Sequence, residues 1–228
     1  EPYLNNRRIF CPRGKMIGGC SSHNGMVFVR GNPLDFERWA SYDLPKWSYK
    51  NVLPYFKKLE TWSGGENLYR GGNGPLKVNR SKIDDAFPLF KSLIKAAAEA
   101  GYDTFEDSNG FKQDGFGTFD VTIDNGKRQG VSRAYLKEMN GYKNLSIEHN
   151  TDVSKIIFKE KKAIGVEVKR NNHSEIYYCN KEIILSSGSI NSPKILQLSG
   201  IGDEKLLNQN GIDIINHLPG VGKNLQDH

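Results

Sequence analysis

The sequence predicts a mixed α/β (α+β) fold with a β-meander, and three observations carry that reading. Apolar residues recur at three- and four-residue spacing over Phe87, Phe90, Leu93, Ile94 and Ala97, the period of an amphipathic helix. After Asn144 the period drops to two, in short β-type runs at 145–149, 153–159, 163–169 and 175–178 separated by turn residues. The run Glu182-Ile183-Ile184-Leu185-Ser186 then leads through small residues into a helical stretch. Strand, small residues, helix is the order of nucleotide-facing α/β units.

The elements follow in chain order. Residues 1–33 are rich in Gly, Arg and Ser. Asp35 to Ala40 reads as a short helix capped by Asp35 or Asn32, with Phe36 and Trp39 on one face. Ser48 begins a second helix running to Leu59, and Pro54 inside it predicts a kink or a late start. The paired glycines of 63–79 predict a surface loop. Asp84 or Asp85 then caps the clearest helix, which Gly101 stops. Residues 103–130 read as irregular structure lying over a site or a surface, and 132–139 as one more short helix. In the last third, 182–186 predicts a strand buried on both faces, followed by a helix from Ser192 to Leu198 with Pro193 in its first turn. The aromatic cluster Trp39, Tyr42, Trp47 and Tyr49 reads as core.

Composition narrows the function classes. The 228 residues carry 32 Lys and Arg against 26 Asp and Glu, a net charge of +6, with 37% hydrophobic and 11% aromatic residues. Non-periodic glycine and plentiful aromatics exclude collagen, coiled coil and wholesale disorder. No apolar run approaches the ~18–20 residues of a membrane span and no signal-peptide pattern opens the chain, so the expected location is cytoplasmic or peripheral at the inner membrane. Basic residues are dispersed. Their densest run, Lys159-Glu160-Lys161-Lys162, reads as a hairpin loop, which argues against a nucleic-acid partner. Cys11, Cys20 and Cys179 are too few and too scattered for a disulfide framework, and no CxxC or HxxxH spacing offers a metal site.

Two segments exceed what packing needs. In Pro12–Val27, paired glycines beside two serines let backbone N–H groups approach an anion without a Cβ in the way, with Arg13 and Lys15 adding charge; an ordinary Gly/Ser turn would look similar. In Leu185–Gly202, small residues sit at the carboxyl end of the predicted strand, where the following helix N-terminus favours an anionic ligand; a tight strand–helix connection without a ligand is the alternative. His149, His173 and His217 have no acid or nucleophile at suggestive spacing. His23 reads as a core-facing histidine or, less simply, as a group beside a cofactor.

Together these segments resemble the two signatures of the glucose–methanol–choline (GMC) oxidoreductases. The Gly-Gly-small-Ser-x-x-Asn-Gly core is present at Gly18–Gly25, and Ser187–Gly202 ends in Ser-Gly-Ile-Gly. A third match, Leu218-Pro219-Gly220-Val221-Gly222-Lys223-Asn224-Leu225-Gln226-Asp227-His228, closes the chain. Asn5–Arg8, Gly25–Asn32, Trp47–Tyr49 and Gly65–Gly72 look most like the choline dehydrogenases of that family.

The resemblance implies an internal fragment holding part of an FAD-binding domain with its β-meander and part of a substrate-binding domain. Residues 1–33 would be an FAD-binding segment, 34–140 a mixed helical and loop segment that is partly substrate-domain cap, and 141–228 the second FAD-binding portion. It places Met16, Gly18 and Gly19 near the FAD diphosphate and flavin approach. Asn24, Gly25, Met26 and Val27 would lie along the isoalloxazine, Val153 at the adenine end, and Ser187 and Gly188 near the ribose. Cys20 stands where the family has Ser or Thr, a weaker donor. The family's GxGxxG fingerprint would precede residue 1, and its catalytic histidine would lie beyond residue 228, so this chain supplies no catalytic base.

The activity so implied is FAD-dependent oxidation of choline to betaine aldehyde by hydride transfer to flavin N5, with an electron acceptor the sequence does not specify. Another primary alcohol as substrate, or a non-catalytic flavin- or nucleotide-binding module, are the alternatives.

Overall fold

The computed structural model describes residues 2–81, 88–139, 141–171 and 173–226. Asp84, Asp85, Phe87 and His228, to which the sequence assigns capping, packing and motif positions, lie outside them. The chain divides into two compact units, Glu1–Leu145 and Ser146–His228, and each is described by itself.

In the first unit, strand β1 (Val27–Phe28) follows the Gly-rich segment and leads to helix α1 (Pro33–Ala40). Asn32 is the cap: its side chain accepts from the Leu34 amide at 2.9 Å, with Pro33 in the first turn. Helix α2 (Tyr49–Leu59) starts at Tyr49 and continues through Pro54, so the late start is not what the chain does. Pro54 faces solvent, where water can satisfy the carbonyl that loses its partner. Phe36 is the buried centre of an aromatic group, with ring centroids 5.4 Å from Trp39, 5.6 Å from Phe56 and 6.2 Å from Tyr49. The expected aromatic core is only partly one: Trp39, Tyr42 and Trp47 remain substantially exposed.

A four-stranded sheet in the order β1–β4–β3–β2 organises this unit. Strand β2 (Glu60–Trp62) runs parallel to β3 (Leu76–Arg80), and β4 (Asp120–Val121) is antiparallel to both β3 and β1. The expectation of a surface loop over 63–79 holds in part: residues 63–75 form no helix or strand and 63–68 are exposed, but the segment turns inward at Arg70 and Gly71 and ends in β3. Gly71 and Gly74 are buried, and a Cβ on Gly71 would stand 1.8 Å from the Lys57 carbonyl oxygen. Gly71 and Gly74 mark close backbone packing, whereas Gly64 and Gly65 are exposed.

Helix α3 (Pro88–Glu99) follows the predicted period and ends before Gly101, whose φ is +84°. Its apolar stripe is not a core face, however: Ala97 is buried, while Leu89, Phe90 and Leu93 are exposed. Within 103–130, Ile123–Asp124 (β5) and Lys127–Arg128 (β6) form a hairpin across Asn125-Gly126. Both turn residues have positive φ, +48° and +70°, as a two-residue hairpin that follows strand twist requires. A π-helical turn, Ser132–Leu136, replaces the predicted short helix.

The second unit opens without the predicted strand at 145–149, then forms the meander: β7 (Asp152–Lys159), β8 (Lys162–Arg170) and β9 (His173–Tyr178), all antiparallel. Lys159 pairs with Lys162 across the two-residue turn that the basic run predicts. Helix α4 (Gly188–Leu198) packs on β7, the Ile156 amide donating to Ser199 Oγ at 2.8 Å just past its end. It begins four residues earlier than expected, so Pro193 sits inside it rather than in its first turn. Strands β10 (Ile201–Gly202) and β11 (Asn216–His217) pair in parallel around helix α5 (Glu204–Gln209).

Residues 182–186 form no strand. Ile183 and Leu185 are half-buried and Ile184 is 80% exposed, and no described strand pairs with their backbone. No helix among the described residues is long and apolar enough to cross a membrane.

Candidate functional site

The Gly-rich segment forms a tight loop closed by its own side chains. Gly18 and Gly19 both take positive φ, +90° and +54°, conformations that Cβ-bearing residues avoid. A Cβ on Gly18 would stand 2.5 Å from Ser22 Oγ, whereas one on Gly19 or Gly25 would meet nothing within 4 Å. The first glycine is thus needed for packing and the other two leave an open face. Ser21 Oγ donates to the Gly18 carbonyl at 2.5 Å, Ser22 Oγ to the Ile17 carbonyl at 2.9 Å, and the Gly14 amide to Cys20 Sγ at 3.5 Å. The Cys20 thiol therefore serves as acceptor here.

A later segment braces this loop from about a hundred residues away. The Thr122 amide donates to the Met26 carbonyl at 2.8 Å and the Val131 amide to Ser21 Oγ at 2.9 Å. Arg128 Nη1 donates to the Asn24 carbonyl at 2.8 Å, Asn24 Oδ1 at 2.7 Å and the Ser21 carbonyl at 3.3 Å. Asn24 Oδ1 also accepts from the Met26 amide at 3.2 Å. Met26 itself has φ +63°, which costs a non-glycine residue about 1–2 kcal/mol and persists where the surroundings fix it.

Of the residues singled out in the sequence, Met16, Gly18, Gly19, Asn24, Gly25, Met26 and Val27 come together in this loop. Met16, Asn24, Gly25 and Val27 are exposed. His23 is exposed as well, which corrects the core-facing reading. Val153, Ser187 and Gly188 belong to the second unit. Val153 pairs with Val168 beside an irregularity in the β7–β8 register, and Ser187–Gly188 open helix α4, with Gly188 at φ +85°. Near that helix start, Lys194, Gln197, Gly222 and Lys223 line a cleft of about 360 Å³. Gln197 Nε2 donates to the Val221 carbonyl at 3.2 Å, and Lys223 pairs with Asp203 at 3.1 Å. The second and third signature segments are thereby tied together.

Sequence reasoning missed Thr122, Arg128 and Val131. The readable signal was the Asn125-Gly126 dipeptide, a hairpin turn by its chemistry, which fixes where Arg128 points back. It also missed a buried ion network under the same sheet. Glu60 accepts from Arg30 Nη2 at 2.8 Å, from Arg70 Nε at 2.8 Å and Nη2 at 3.1 Å, and from the Gly71 amide at 3.0 Å. Arg70 Nη1 bonds Asp107 and Asp120, each at 2.7 Å, and its guanidinium lies 4.4 Å over the Trp62 ring. Burial opposes the charge on Arg70, but the hydrogen bonds with Glu60 and Asp120 outweigh it and push the group further up. Arg30 moves the other way, lowered by burial against the pull of Glu60.

The GMC oxidoreductase family profile matches residues 2–228. The chain belongs to that family. Among curated GMC relatives, the oxygen-dependent choline dehydrogenase of Rhizobium etli is 48% identical over 228 residues, covering 100% of this chain and 41% of that protein. Among solved structures, an FAD-dependent oxidoreductase from Chaetomium thermophilum superposes with a TM-score of 0.90 at 37% identity, covering 98% of this chain and 41% of its own. The pyridoxine 4-oxidase of Mesorbium loti reaches 0.87 at 31% identity, with 95% and 42% covered. The chain thus spans about two fifths of the length of the GMC relatives it matches.

Proposed function

We propose that the chain is the FAD-holding part of a GMC alcohol oxidoreductase, and that the whole protein oxidises choline to betaine aldehyde. The observation that carries the cofactor half of this reading is the Gly18–Val27 loop. Its glycines leave an open face at Gly19 and Gly25, its backbone is held in left-handed conformations, and it is braced at both Ser21 and Met26. A planar ring with polar edges fits such a surface, because backbone groups reach it without intervening side chains.

In this reading Met16, Gly18 and Gly19 serve the diphosphate and flavin approach, and Asn24, Gly25, Met26 and Val27 lie along the ring. Val153 serves the adenine end, and Ser187 and Gly188 the ribose. Residues 1–33 and 141–228 are the FAD-binding portions, and 34–140 is in part substrate-domain cap. When bound, the flavin supplies a two-electron acceptor for oxidation of the alcohol. The base that takes the hydroxyl proton is not assigned to this chain.

Choline as the substrate is supported by the names of the relatives that match the whole chain at 43–48% identity. A different primary alcohol is the second reading, favoured by the likeness to pyridoxine 4-oxidase. The full-length gene product decides both. It should purify with the visible absorbance of bound flavin, and with choline it should reduce oxygen or an artificial electron acceptor faster than with ethanol, benzyl alcohol or pyridoxine. Preference for an uncharged alcohol overturns the choline assignment, and absence of flavin overturns the cofactor assignment.

A further inference from the structure

We propose that Arg128 is a positioning residue of the flavin site, a role that rests on the cofactor reading above and assigns a device to it. Three facts carry it. Arg128 is half-buried as a residue, and its guanidinium holds two backbone carbonyls and one side-chain oxygen of the Gly-rich loop. It is delivered there by the Asn125-Gly126 hairpin rather than by the loop's own neighbours in sequence. The loop it holds includes Met26 at φ +63°, a conformation that relaxes unless its surroundings keep it.

The chemistry of a guanidinium makes the consequence specific. Arg has donors and no acceptor, so the Asn24 amide can face it only with Oδ1. The Met26 amide makes the same demand on the same oxygen, at 3.2 Å. With Oδ1 taken from two sides, Asn24 presents its exposed end to a ligand as an N–H donor. A donor complements the acceptor atoms along the ring edge of a flavin. Arg128 would also set a positive charge near a flavin held on this loop, and reduction of a flavin adds negative charge to the ring, which a nearby cation favours. It therefore works through geometry, by orienting Asn24, and through charge, by raising the tendency of the bound flavin to accept electrons.

Two substitutions in the full-length gene product separate these contributions. Gln at this position can donate or accept, so Arg128→Gln leaves Asn24 Oδ1 held with certainty only by the Met26 amide, loosening the orientation of the Asn24 side-chain amide, and removes the charge. The FAD dissociation constant should rise on the order of tenfold, and the midpoint potential of the bound flavin should fall. Lys keeps the charge and the donor-only chemistry but cannot fork across several acceptors. Arg128→Lys should hold the potential near that of the unsubstituted protein while binding FAD several-fold more weakly.

Far-UV circular dichroism accompanies both, since a merely structural residue would alter folding without moving the potential of the flavin that remains bound. A folded Arg128→Gln protein with unchanged FAD affinity and potential overturns the role. If Arg128→Gln does not fold, Arg128→Lys decides alone: unchanged affinity overturns the proposal, and weakened affinity at a preserved potential supports it. An unsubstituted protein that binds no FAD removes the flavin reading and this role with it, whereas flavin binding indifferent to Arg128 removes only the role.

Discussion

Arg30, Glu60, Arg70 and Asp120 are each at most 5% exposed, yet they carry two positive and two negative charges. Burying any one alone would be prohibitive, so the pairing is what lets them occupy the interior. Glu60→Gln keeps the shape but leaves Arg30 and Arg70 facing a neutral amide. It should destabilise the sheet by about 3–5 kcal/mol, measured as loss of hydrogen-exchange protection in β2 and β3 of the full-length protein, while Glu99→Gln on the exposed face of α3 should change little. Gly71→Ala should be worse still, because its Cβ would meet a backbone oxygen at 1.8 Å that cannot swing away; folded yield should collapse, while Gly220→Ala, with nothing within 4 Å, leaves it unchanged. None of this network was legible in the sequence. Arg70 and the glycines around it look like a solvated loop, and Glu60 like an ordinary helix-end carboxylate, because residue type reports average exposure, and pairing across ten to fifty positions leaves no local periodicity. The Gly18–Val27 loop was legible for the opposite reason: its glycines and serines are contiguous, and their backbone demands can be read from neighbours alone.

At the scale of elements, α1, α2, α3 and the meander follow the periods that predict them, since amphipathic spacing is a local property. What the period cannot supply is the partner. The apolar stripe of α3 and the run at 182–186 have the right patterns, yet Leu89, Phe90, Leu93 and Ile184 are exposed. Helix α5 offers a sharper test, because its start depends on one carboxylate. Asp203 Oδ1 accepts from the Lys205 amide at 3.1 Å and the Leu206 amide at 3.2 Å, and Asp203 Oδ2 pairs with Lys223 at 3.1 Å. The Leu206 amide, then Lys223, holds the carboxyl below the usual carboxylate range. A carboxylate with a lowered folded pKa stabilises above its unfolded pKa, and that contribution disappears as pH falls through the lowered value. The amides of Leu206 and Leu207 should therefore exchange faster with acidification below the ordinary carboxylate range, after correction for intrinsic rates. Asp203→Asn, which caps without a titratable charge, should flatten that response; an identical pH profile in the two proteins would refute the cap as its origin.

For the molecule as a whole, the decisive quantity is the surface left uncovered. The chain exposes 17244 Å², whereas two separately packed units of these sizes would together expose roughly 12,500 Å² by the scaling of folded monomers. The excess agrees with a hydrophobic core limited, among described residues, to eight side chains that include Phe36, Val78, Ile156, Ile195 and Leu207. It is also in keeping with the span of about two fifths of the relatives' length, since those longer relatives have further residues to set against such faces. Ile184 tests this directly, because it is 80% exposed in the 228-residue chain and carries the pattern of a buried strand. Ile184→Glu should leave the stability of that chain within about 0.5 kcal/mol, as surface substitutions do. In the full-length gene product the same change should cost several kcal/mol, because the glutamate would lie between apolar neighbours with no partner. The measurement is the shift in thermal unfolding midpoint of each protein on substitution. Equal, small shifts in both would mean that Ile184 stays on the surface of the complete protein, and the uncovered faces would then need a different explanation from folding against the rest of the same chain.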